Sequence, residues 1–226
     1  CSICRKNYPA NDINTTSPCC NQPLLARYNL PKDWDKKELK EREKTLWRYA
    51  ELLPVFKAEN RISLGEGYTP VISLSGLGSS SGFSSIWIKD ESNNPTGSFK
   101  ARGLCIAVSK AKELGIDACI IPTAGNAGGA MAAYCAKAGI QAIVVMPSHT
   151  PGLFKDECRW YGAELVLVNG LINDCAARVK EINTGKKYFD VSTMKEPYRL
   201  EGKKTLGYEI AEQFNWTLPD VILYPT

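Results

Sequence analysis

From residue 84 onward the sequence alternates short apolar runs with longer stretches of helical periodicity, and this alternation restricts the fold more than any other feature. The apolar runs occupy residues 84–91, 118–123, 140–147, 163–169, 186–192 and 220–226. The helical stretches occupy residues 98–114, 126–138, 151–161, 172–182 and 200–214. Strands separated by full helices form right-handed β-α-β units around a parallel sheet that helices cover on both faces. The sequence therefore predicts an α/β fold with doubly wound, mostly parallel sheets.

The rest of the chain predicts an N-terminal arm and a catalytic region. Residues 1–62 form the arm, with clustered cysteines and a charged amphipathic helix within residues 31–53 that Pro54 ends. Residues 63–85 are rich in glycine and serine, which predicts a connecting loop. Residues 63–226 form the catalytic region in two domains, and we expect the second to be incomplete. The chain begins without Met and stops directly after a strand-like run, so we expect a fragment.

Charge and hydropathy exclude two classes of partner. Lysine and arginine number 28 against 24 acidic residues, and the net charge of +4 is scattered without a basic block, so we expect no nucleic-acid partner. The longest apolar stretches, residues 118–122 and 140–147, are far shorter than the roughly 20 residues that cross a bilayer. We therefore expect no membrane partner and a cytoplasmic location.

The nine cysteines fall into two groups. Five lie singly within apolar or helical patterns and are expected in the core: Cys105, Cys119, Cys135, Cys158 and Cys175. The other four occur as Cys1 with Cys4 and as the adjacent Cys19 and Cys20, a pattern similar to a zinc ribbon of two knuckles. Ser17 stands where a third ligand is expected, so Cys19 would have to replace it. The sequence leaves zinc and a metal-free knuckle open, and we assign no metal.

A polar loop at the end of one apolar run places Lys100 in the first turn of a helix. A cation there faces the positive end of the helix dipole and costs about 0.3–1 kcal/mol unless the amine is neutral. A neutral lysine amine attacks carbonyl groups to form a Schiff base, which makes Lys100 a candidate nucleophile. The alternative is a surface lysine whose aliphatic stem lies along the protein.

A second loop, Thr123-Ala-Gly-Asn-Ala-Gly-Gly-Ala130, joins an apolar run to an Ala-rich helix. Its glycines allow a ligand to approach the backbone, and N–H groups at the helix start can bind a carboxylate or phosphate. The loop matches neither dinucleotide-binding nor Walker patterns, which disfavours a nucleotide. The alternative is that small residues here allow close helix packing.

Both loops carry a resemblance to one enzyme superfamily. The segment Asn94-Pro-Thr-Gly-Ser-Phe-Lys-Ala-Arg-Gly103 resembles the lysine motif of pyridoxal-phosphate enzymes with the tryptophan synthase β-chain fold, and Thr123-Ala-Gly-Asn126 resembles their substrate and cofactor loop. Within that superfamily, residues 66–70 and 198–205 are similar to the threonine synthase family. Threonine dehydratases carry an Ala-Gly-Gln-Gly-Thr type of sequence at the later position, unlike the residues 201–203 of this chain.

The resemblance implies pyridoxal 5'-phosphate as the cofactor. Lys100 would hold it through a Schiff base and then move protons, while Asn126 would bond to the phenolic oxygen of the pyridine ring. The glycine-rich loop for the cofactor phosphate would follow Thr226.

The resemblance also implies a substrate site. Thr123 and the backbone N–H groups of Gly125 and Ala127 would bind an amino-acid carboxylate. Arg199 would bind a substrate phosphate through its fork of donors.

The implied reaction is a γ-elimination and β-hydration that converts O-phosphohomoserine to threonine and phosphate, in a lyase that we expect to be a homodimer at full length. Ala124 and the pair Thr193 and Met194 depart from the family pattern, which weakens this substrate assignment. One alternative is an ammonia-lyase of the same fold that acts on serine, threonine or diaminopropionate. Another is a non-catalytic binding protein derived from the fold. We expect His149, which follows a strand, to be a loop residue.

Overall fold

The computed structural model describes residues 1–30 and 35–224. The strands are β1 Val71–Ser73, β2 Trp87–Lys89, β3 Ala118–Pro122, β4 Gln141–Pro147, β5 Glu164–Val168 and β6 Phe189–Asp190. The α-helices are α1 Ser75–Ser81, α2 Lys100–Glu113, α3 Asn126–Ala138, α4 Gly152–Trp160, α5 Ile172–Ile182, α6 Tyr198–Lys203 and α7 Thr205–Gln213. Short 3₁₀ helices occupy Lys36–Glu41, Leu46–Leu52, Ala58–Asn60, Glu91–Asn93 and Pro95–Gly97.

Four strands form a parallel sheet in the order β5-β4-β3-β6. β3 lies inside the sheet, where Ile120 pairs with Ile143 of β4 on one side and with Asp190 of β6 on the other. The helices between the strands cover both faces, as full burial of parallel strands requires. The α/β, doubly wound prediction is therefore confirmed, while the division of residues 63–226 into two domains stays a prediction.

The alternation of side chains along the strands produces two apolar cores. On one face, Cys119 and Ile121 of β3 and Val144 of β4 pack with residues of α2, α3 and α4. On the other face, residues of β3 and β4 pack with Cys175 and Val179 of α5. The five cysteines expected in the core are all buried, which confirms that prediction: Cys105, Cys119, Cys135, Cys158 and Cys175.

Helix α3 begins where the sequence predicts and is capped by Gly139, the residue after its last one. The φ of 72° at Gly139 is the left-handed conformation that glycine adopts without strain. The stretch predicted as one helix over residues 200–214 is instead two helices. α6 begins earlier, at Tyr198, and α7 begins at Thr205. The Thr205 hydroxyl donates to the carbonyl oxygen of Gly202 at 2.7 Å, a local bond that competes with regular helix continuation.

Two sequence predictions about the N-terminal half are wrong. The amphipathic helix predicted within residues 31–53 is two 3₁₀ helices, each started by a side-chain cap, Asp35 or Thr45; residues 31–34 lie outside the described part. The predicted glycine- and serine-rich loop at residues 63–85 contains β1 and α1. β1 pairs with β2 in a separate antiparallel ribbon, so β2 is not a strand of the parallel sheet.

The strand predicted over residues 220–226 is also wrong for its described part, residues 220–224, which is an irregular segment. Leu223 is 92% exposed there, and Val221 is exposed too. A strand needs a neighbour to accept its backbone hydrogen bonds, and no strand in the described residues pairs with this segment. Within the described residues, no helix is long and apolar enough to span a membrane.

Candidate active site

The strand order of the parallel sheet marks a ligand-binding position. From β3 the chain runs outward through β4 to β5 and then returns to place β6 on the opposite side of β3. Ligands of open α/β sheets bind where the strand order reverses, beyond the carboxyl ends of the strands. Here the loop after β3 carries Thr123, and the segment after β6 carries Val191. The site predicted from the sequence therefore lies at the switch point of the sheet.

The lysine segment lies beside this position. Its Pro95–Gly97 turn packs against α3, and α2 packs along α3, so the two loops identified in the sequence are neighbours in space. Thr96 and Gly97 adopt φ angles of 59° and 61°, which make the turn tight. Lys100 is the first residue of α2 and is half-buried. The Thr96 hydroxyl is buried without a partner among the described residues, which is a position that a bound ligand could satisfy.

A buried ionic network holds the lysine helix in place. Arg102 is completely buried, and its guanidinium donates to Glu91 at 2.6 and 2.7 Å and to Glu209 of α7 at 2.6 and 2.8 Å. Lys89 of β2 donates to Glu209 at 2.8 Å. Burial opposes ionisation of Glu209, but Arg102 and Lys89 outweigh burial and hold the pKa of that carboxyl below its ordinary value. Two cations and two carboxylates thus balance one another two residues from Lys100.

The segment Glu66-Gly-Tyr-Thr-Pro70 is a structural support for the lysine segment. Glu66 is completely buried and accepts hydrogen bonds from the Tyr134 hydroxyl at 2.6 Å and from the Leu64 N–H at 2.9 Å. The Gly67 N–H donates to Asn94 Oδ1 at 3.0 Å, which ties this turn to the lysine segment. Gly67 has a φ of 92°, and a Cβ there would lie 2.5 Å from the backbone nitrogen of Leu46, so only glycine fits.

The glycines of the loop after β3 have different roles. A Cβ on Gly128 would lie 2.8 Å from Thr123 Cγ2 and 3.1 Å from Cys158 Sγ, so this glycine allows α3 to pack closely. Gly129 likewise abuts Glu157 of α4. Gly125 is open, because a Cβ there would lie no closer than 3.9 Å to another residue. Its N–H donates to Thr123 Oγ1 at 3.2 Å. The sequence predicted that the glycines of this loop allow a ligand to approach the backbone, and among the three the structure leaves Gly125 open for that role.

The remaining residues predicted for this loop lie at the start of α3. Thr123 is buried, Asn126 is exposed as the first residue of α3, and Ala127 is partly buried. The first N–H groups of a helix have no partner within it, and the helix dipole favours an anion at that end. The loop after β3 therefore suits a carboxylate, and the assigned roles of these residues stay predictions.

Arg199 lies on α6 and is almost completely buried. Its Nη1 donates to the carbonyl oxygen of Val191 at 2.6 Å, and its Nε is buried without a partner among the described residues. Glu196 accepts the N–H groups of Tyr198 at 2.5 Å and Arg199 at 3.0 Å, which caps α6. Burial raises the pKa of Glu196 to about 7, although Arg199 opposes that rise. The role of Arg199 in binding a substrate phosphate stays a prediction.

The structure adds Lys203 to the candidate site. Lys203 lies on α6 with Arg199, and α6 packs against α2, the helix that begins at Lys100. Burial lowers the pKa of Lys203, and the charges of Arg199 and Lys100 lower it further. The ammonium groups of Lys100 and Lys203 lie 5.8 and 5.9 Å from the centre of the Phe99 ring. Lys203 follows Arg199 by four residues, the spacing that places two side chains on one face of a helix. That spacing is visible in the sequence and could have identified Lys203.

His149 does not contribute to this position. His149 is exposed in the segment after β4, as expected of a loop residue. Lys100, Arg199, Lys203 and the start of α3 are thus the groups that could hold an anionic cofactor or substrate.

A family model described as pyridoxal-phosphate dependent enzyme matches residues 62–226. Threonine synthase of Methanocaldococcus jannaschii is 36% identical over 228 residues, covering 100% of this chain and 56% of the relative. Threonine synthase of Methanosarcina acetivorans is 34% identical over 227 residues and is covered to 55%. The chain thus spans about half the length of the curated relatives it matches.

Solved structures show the same fold. Diaminopropionate ammonia lyase of Escherichia coli superposes with a TM-score of 0.63 at 21% identity, covering 68% of this chain and 49% of that one. Maize serine racemase superposes with a TM-score of 0.60 at 22% identity, covering 65% of this chain and 45% of that one. Because the family model matches most of its length, this chain belongs to the pyridoxal-phosphate dependent enzymes.

Proposed function

We propose that this chain forms part of a pyridoxal-phosphate-dependent lyase that converts O-phosphohomoserine to threonine and phosphate. The observation that carries the proposal is a group of three cations. The ammonium groups of Lys100 and Lys203 lie 5.8 and 5.9 Å from the centre of the Phe99 ring, and Arg199 precedes Lys203 by about one turn of α6. The similarity to threonine synthases over the whole length of the chain supports the choice of substrate.

The residues at the site fit the cofactor. Lys100 is a half-buried lysine at the start of α2, which packs along α3, where Asn126 is the exposed first residue. The turn that precedes Lys100 also packs against α3 and carries the unsatisfied Thr96 hydroxyl. Lys100 would hold the cofactor covalently, and Asn126 would bond to its ring oxygen. When bound, the cofactor supplies an electron sink for carbanions.

The chain's own residues bind and orient the substrate. Thr123 and the backbone N–H groups of Gly125 and Ala127 bind the carboxylate. The Ala127 N–H lies in the first turn of α3 and has no partner within the helix, and the carboxylate would replace Thr123 Oγ1 as the acceptor of the Gly125 N–H. Once the amine of the substrate has replaced Lys100 on the cofactor, the freed Nζ of Lys100 would take the proton from the substrate Cα.

The phosphate of the substrate is bound by Arg199 and Lys203. Arg199 still has an unpaired Nε in a buried position, and an unsatisfied buried donor is costly unless a ligand accepts from it. Lys203 adds a second cation on the same face of α6. Charge-assisted bonds to a phosphate dianion are the strong class of hydrogen bond, so these two side chains would select a phosphorylated substrate.

A second candidate is an ammonia-lyase acting on serine, threonine or diaminopropionate. It is favoured by one observation, the bond from Arg199 Nη1 to Val191, which ties part of the guanidinium to the protein rather than to a ligand. In that case Arg199 stabilises the segment after β6, and the substrate carries no phosphate.

The test compares Arg199→Lys, Arg199→Ala and Lys203→Met in the full-length enzyme, with the exposed Lys195→Met as the matched control. Losing one charge-assisted bond costs about 1.5–3 kcal/mol, so we expect KM for O-phosphohomoserine to rise roughly 10- to 100-fold. Deamination of serine or threonine is expected to change little. Equal loss with every substrate would overturn the assignment of the phosphate site and favour the second candidate. The homodimer and the cytoplasmic location expected from the sequence stay predictions.

A further inference from the structure

Four cysteine thiols meet in the N-terminal arm, away from the candidate active site. The Sγ atoms of Cys1, Cys4, Cys19 and Cys20 all lie within 4.8 Å of one another. Those of Cys4 and Cys19 are 3.2 Å apart. Four sulfurs at about 2.3 Å from a tetrahedral zinc ion are about 3.8 Å from one another, so this cluster already has the dimensions of such a site.

The two pairs of cysteines are held by two equivalent turns. The Arg5 N–H donates to the carbonyl oxygen of Cys1 at 3.1 Å, and the Asn21 N–H donates to that of Ser17 at 2.8 Å. Arg5 and Asn21 both adopt left-handed backbone conformations, with φ of 64° and 49°. By this hydrogen-bond pattern the position of Ser17 corresponds to that of Cys1, and Cys20 corresponds to Cys4.

Ser17 does not supply the fourth ligand from its position. It is buried, and its Oγ accepts the N–H of Gln22 at 3.0 Å, so the hydroxyl serves the turn itself. Cys19, two residues later in the same turn, brings its sulfur into the cluster instead. The first turn therefore supplies sulfur from Cys1 and Cys4, and the second supplies it from Cys19 and Cys20, so the cluster has four sulfurs.

We propose that Cys1, Cys4, Cys19 and Cys20 bind one Zn²⁺ ion as a structural site. Thiolates are the soft ligands that zinc accepts in tetrahedral sites, and four protein ligands leave no open position for a reacting molecule. Binding converts four thiols to thiolates and releases their protons to solvent, so the affinity falls as pH is lowered.

The first 30 residues of the arm need such a crosslink because they have little core of their own. Residues 1–30 contain no α-helix or strand, and Leu24 is their one buried apolar side chain. The arm nevertheless contacts α6, where the Tyr28 hydroxyl donates to Glu201 and the Lys204 ammonium lies 3.9 Å from the centre of the Tyr28 ring. The metal therefore supplies the folding free energy that fixes the arm against the helix that carries Arg199 and Lys203.

The first experiment measures metal content and Co²⁺ binding in the full-length protein with all thiols kept reduced. We expect one zinc ion per chain and, after exchange, the strong thiolate-to-cobalt absorption of a tetrahedral site. Cys19→Ser is expected to weaken Co²⁺ binding at least about tenfold, because even the outer contacts of a metal ligand are worth that much. The matched control is Cys175→Ala, which removes a cysteine from α5, on the far side of the sheet.

The second experiment uses the correspondence between the two turns. Adding Ser17→Cys to Cys19→Ser returns a sulfur to the position equivalent to Cys1, and we expect it to restore Co²⁺ binding. Metal binding is the readout, so loss of enzyme activity through the proposed lyase reaction leaves this result unchanged. A reduced protein that binds no Co²⁺, or a Cys19→Ser variant that binds it as tightly as the unchanged protein, would overturn the proposal.

Discussion

Two groups of buried charge lie within one helix turn of each other and differ in how they are balanced. Around Arg102, two cations face the two carboxylates of Glu91 and Glu209, and every strong donor of the guanidinium has a partner. Around Lys100, the carboxylates near the three cations in the described part of the chain are Asp190 and Glu196, and the pKa of Glu196 is raised to about 7 by burial. A balanced network needs nothing more from outside the protein, whereas an excess of buried cations is stable only with an anion.

This difference in charge balance predicts a structural role for the Arg102 network and a ligand-binding role for the Lys100 group. The Arg102 network ties α2 to α7 and β2. The Lys100 group begins on the same helix, and we propose that it binds an anion. Substitutions in the first group should therefore change stability, and substitutions in the second should change ligand binding.

The largest effect is expected from Lys100→Ala in the full-length enzyme. Only a lysine amine can form the covalent bond to the cofactor aldehyde, so attachment should disappear and activity should fall at least about 100-fold. Borohydride reduction followed by peptide mass analysis measures the attachment, with Lys203→Met as a control that keeps it. A reducible adduct at another lysine in the Lys100→Ala protein would show that our assignment of the attachment site is wrong.

The second-largest effect is expected from Arg102→Met. This substitution leaves the buried Glu209 and the partly buried Glu91 carboxylates without their main partner. Breaking a buried ion pair in this way costs about 3–5 kcal/mol, and we expect that loss in the free energy of unfolding. Chemical denaturation measures it, and Arg159→Met, which removes an exposed ion pair on α4, is the control with little expected effect. A loss below about 1 kcal/mol would mean that the network does not support α2.

A smaller effect is expected from alanine substitutions of two glycines near the loop after β3, one of which is closely packed and one of which is open. Gly128→Ala places a Cβ 2.8 Å from Thr123 Cγ2 and should destabilise the fold by about 1–3 kcal/mol. Gly125→Ala should leave stability nearly unchanged, because its nearest neighbour would be Phe154 at 3.9 Å, yet it should weaken carboxylate binding. Thermal denaturation and substrate KM measure the two effects. Equal loss of stability in both variants would contradict the assignment of Gly125 as the open glycine of this loop.

The smallest effect concerns pH. Glu196 has a pKa of about 7 in the folded protein against 4.5 ordinarily, so it stays protonated to a higher pH in the folded protein than in the unfolded chain. Its contribution to stability is therefore full below about pH 4.5 and declines as pH rises towards 7. We expect Glu196→Gln to remove that part of the pH dependence in denaturation measured between these values. An unchanged slope would show that Glu196 is ionised throughout the range.

The sequence predicted most of the architecture because the patterns involved are local. Apolar runs and helical periodicity identified β3, β4, α2 and α3, since burial of one face repeats every few residues along the chain. The same local signals failed for residues 63–85, where glycine and serine were interpreted as a loop although β1 and α1 lie there. They failed again for the described part of residues 220–226, because an apolar run becomes a strand only when another strand pairs with it.

For the site, the sequence by itself predicted which residues carry the chemistry. Lys100, Thr123 and Arg199 were predicted from motifs, which are recognised from neighbouring residues and do not depend on distant contacts. Only the tertiary structure decided that Arg102 balances Glu209 across 107 positions in the chain, and that Gly128 packs while Gly125 stays open. It also decided that Cys19 joins Cys1, Cys4 and Cys20 in place of Ser17. These outcomes depend on which groups meet in space, and a charge, a glycine or a thiol has the same local pattern in the sequence whether or not a partner is near.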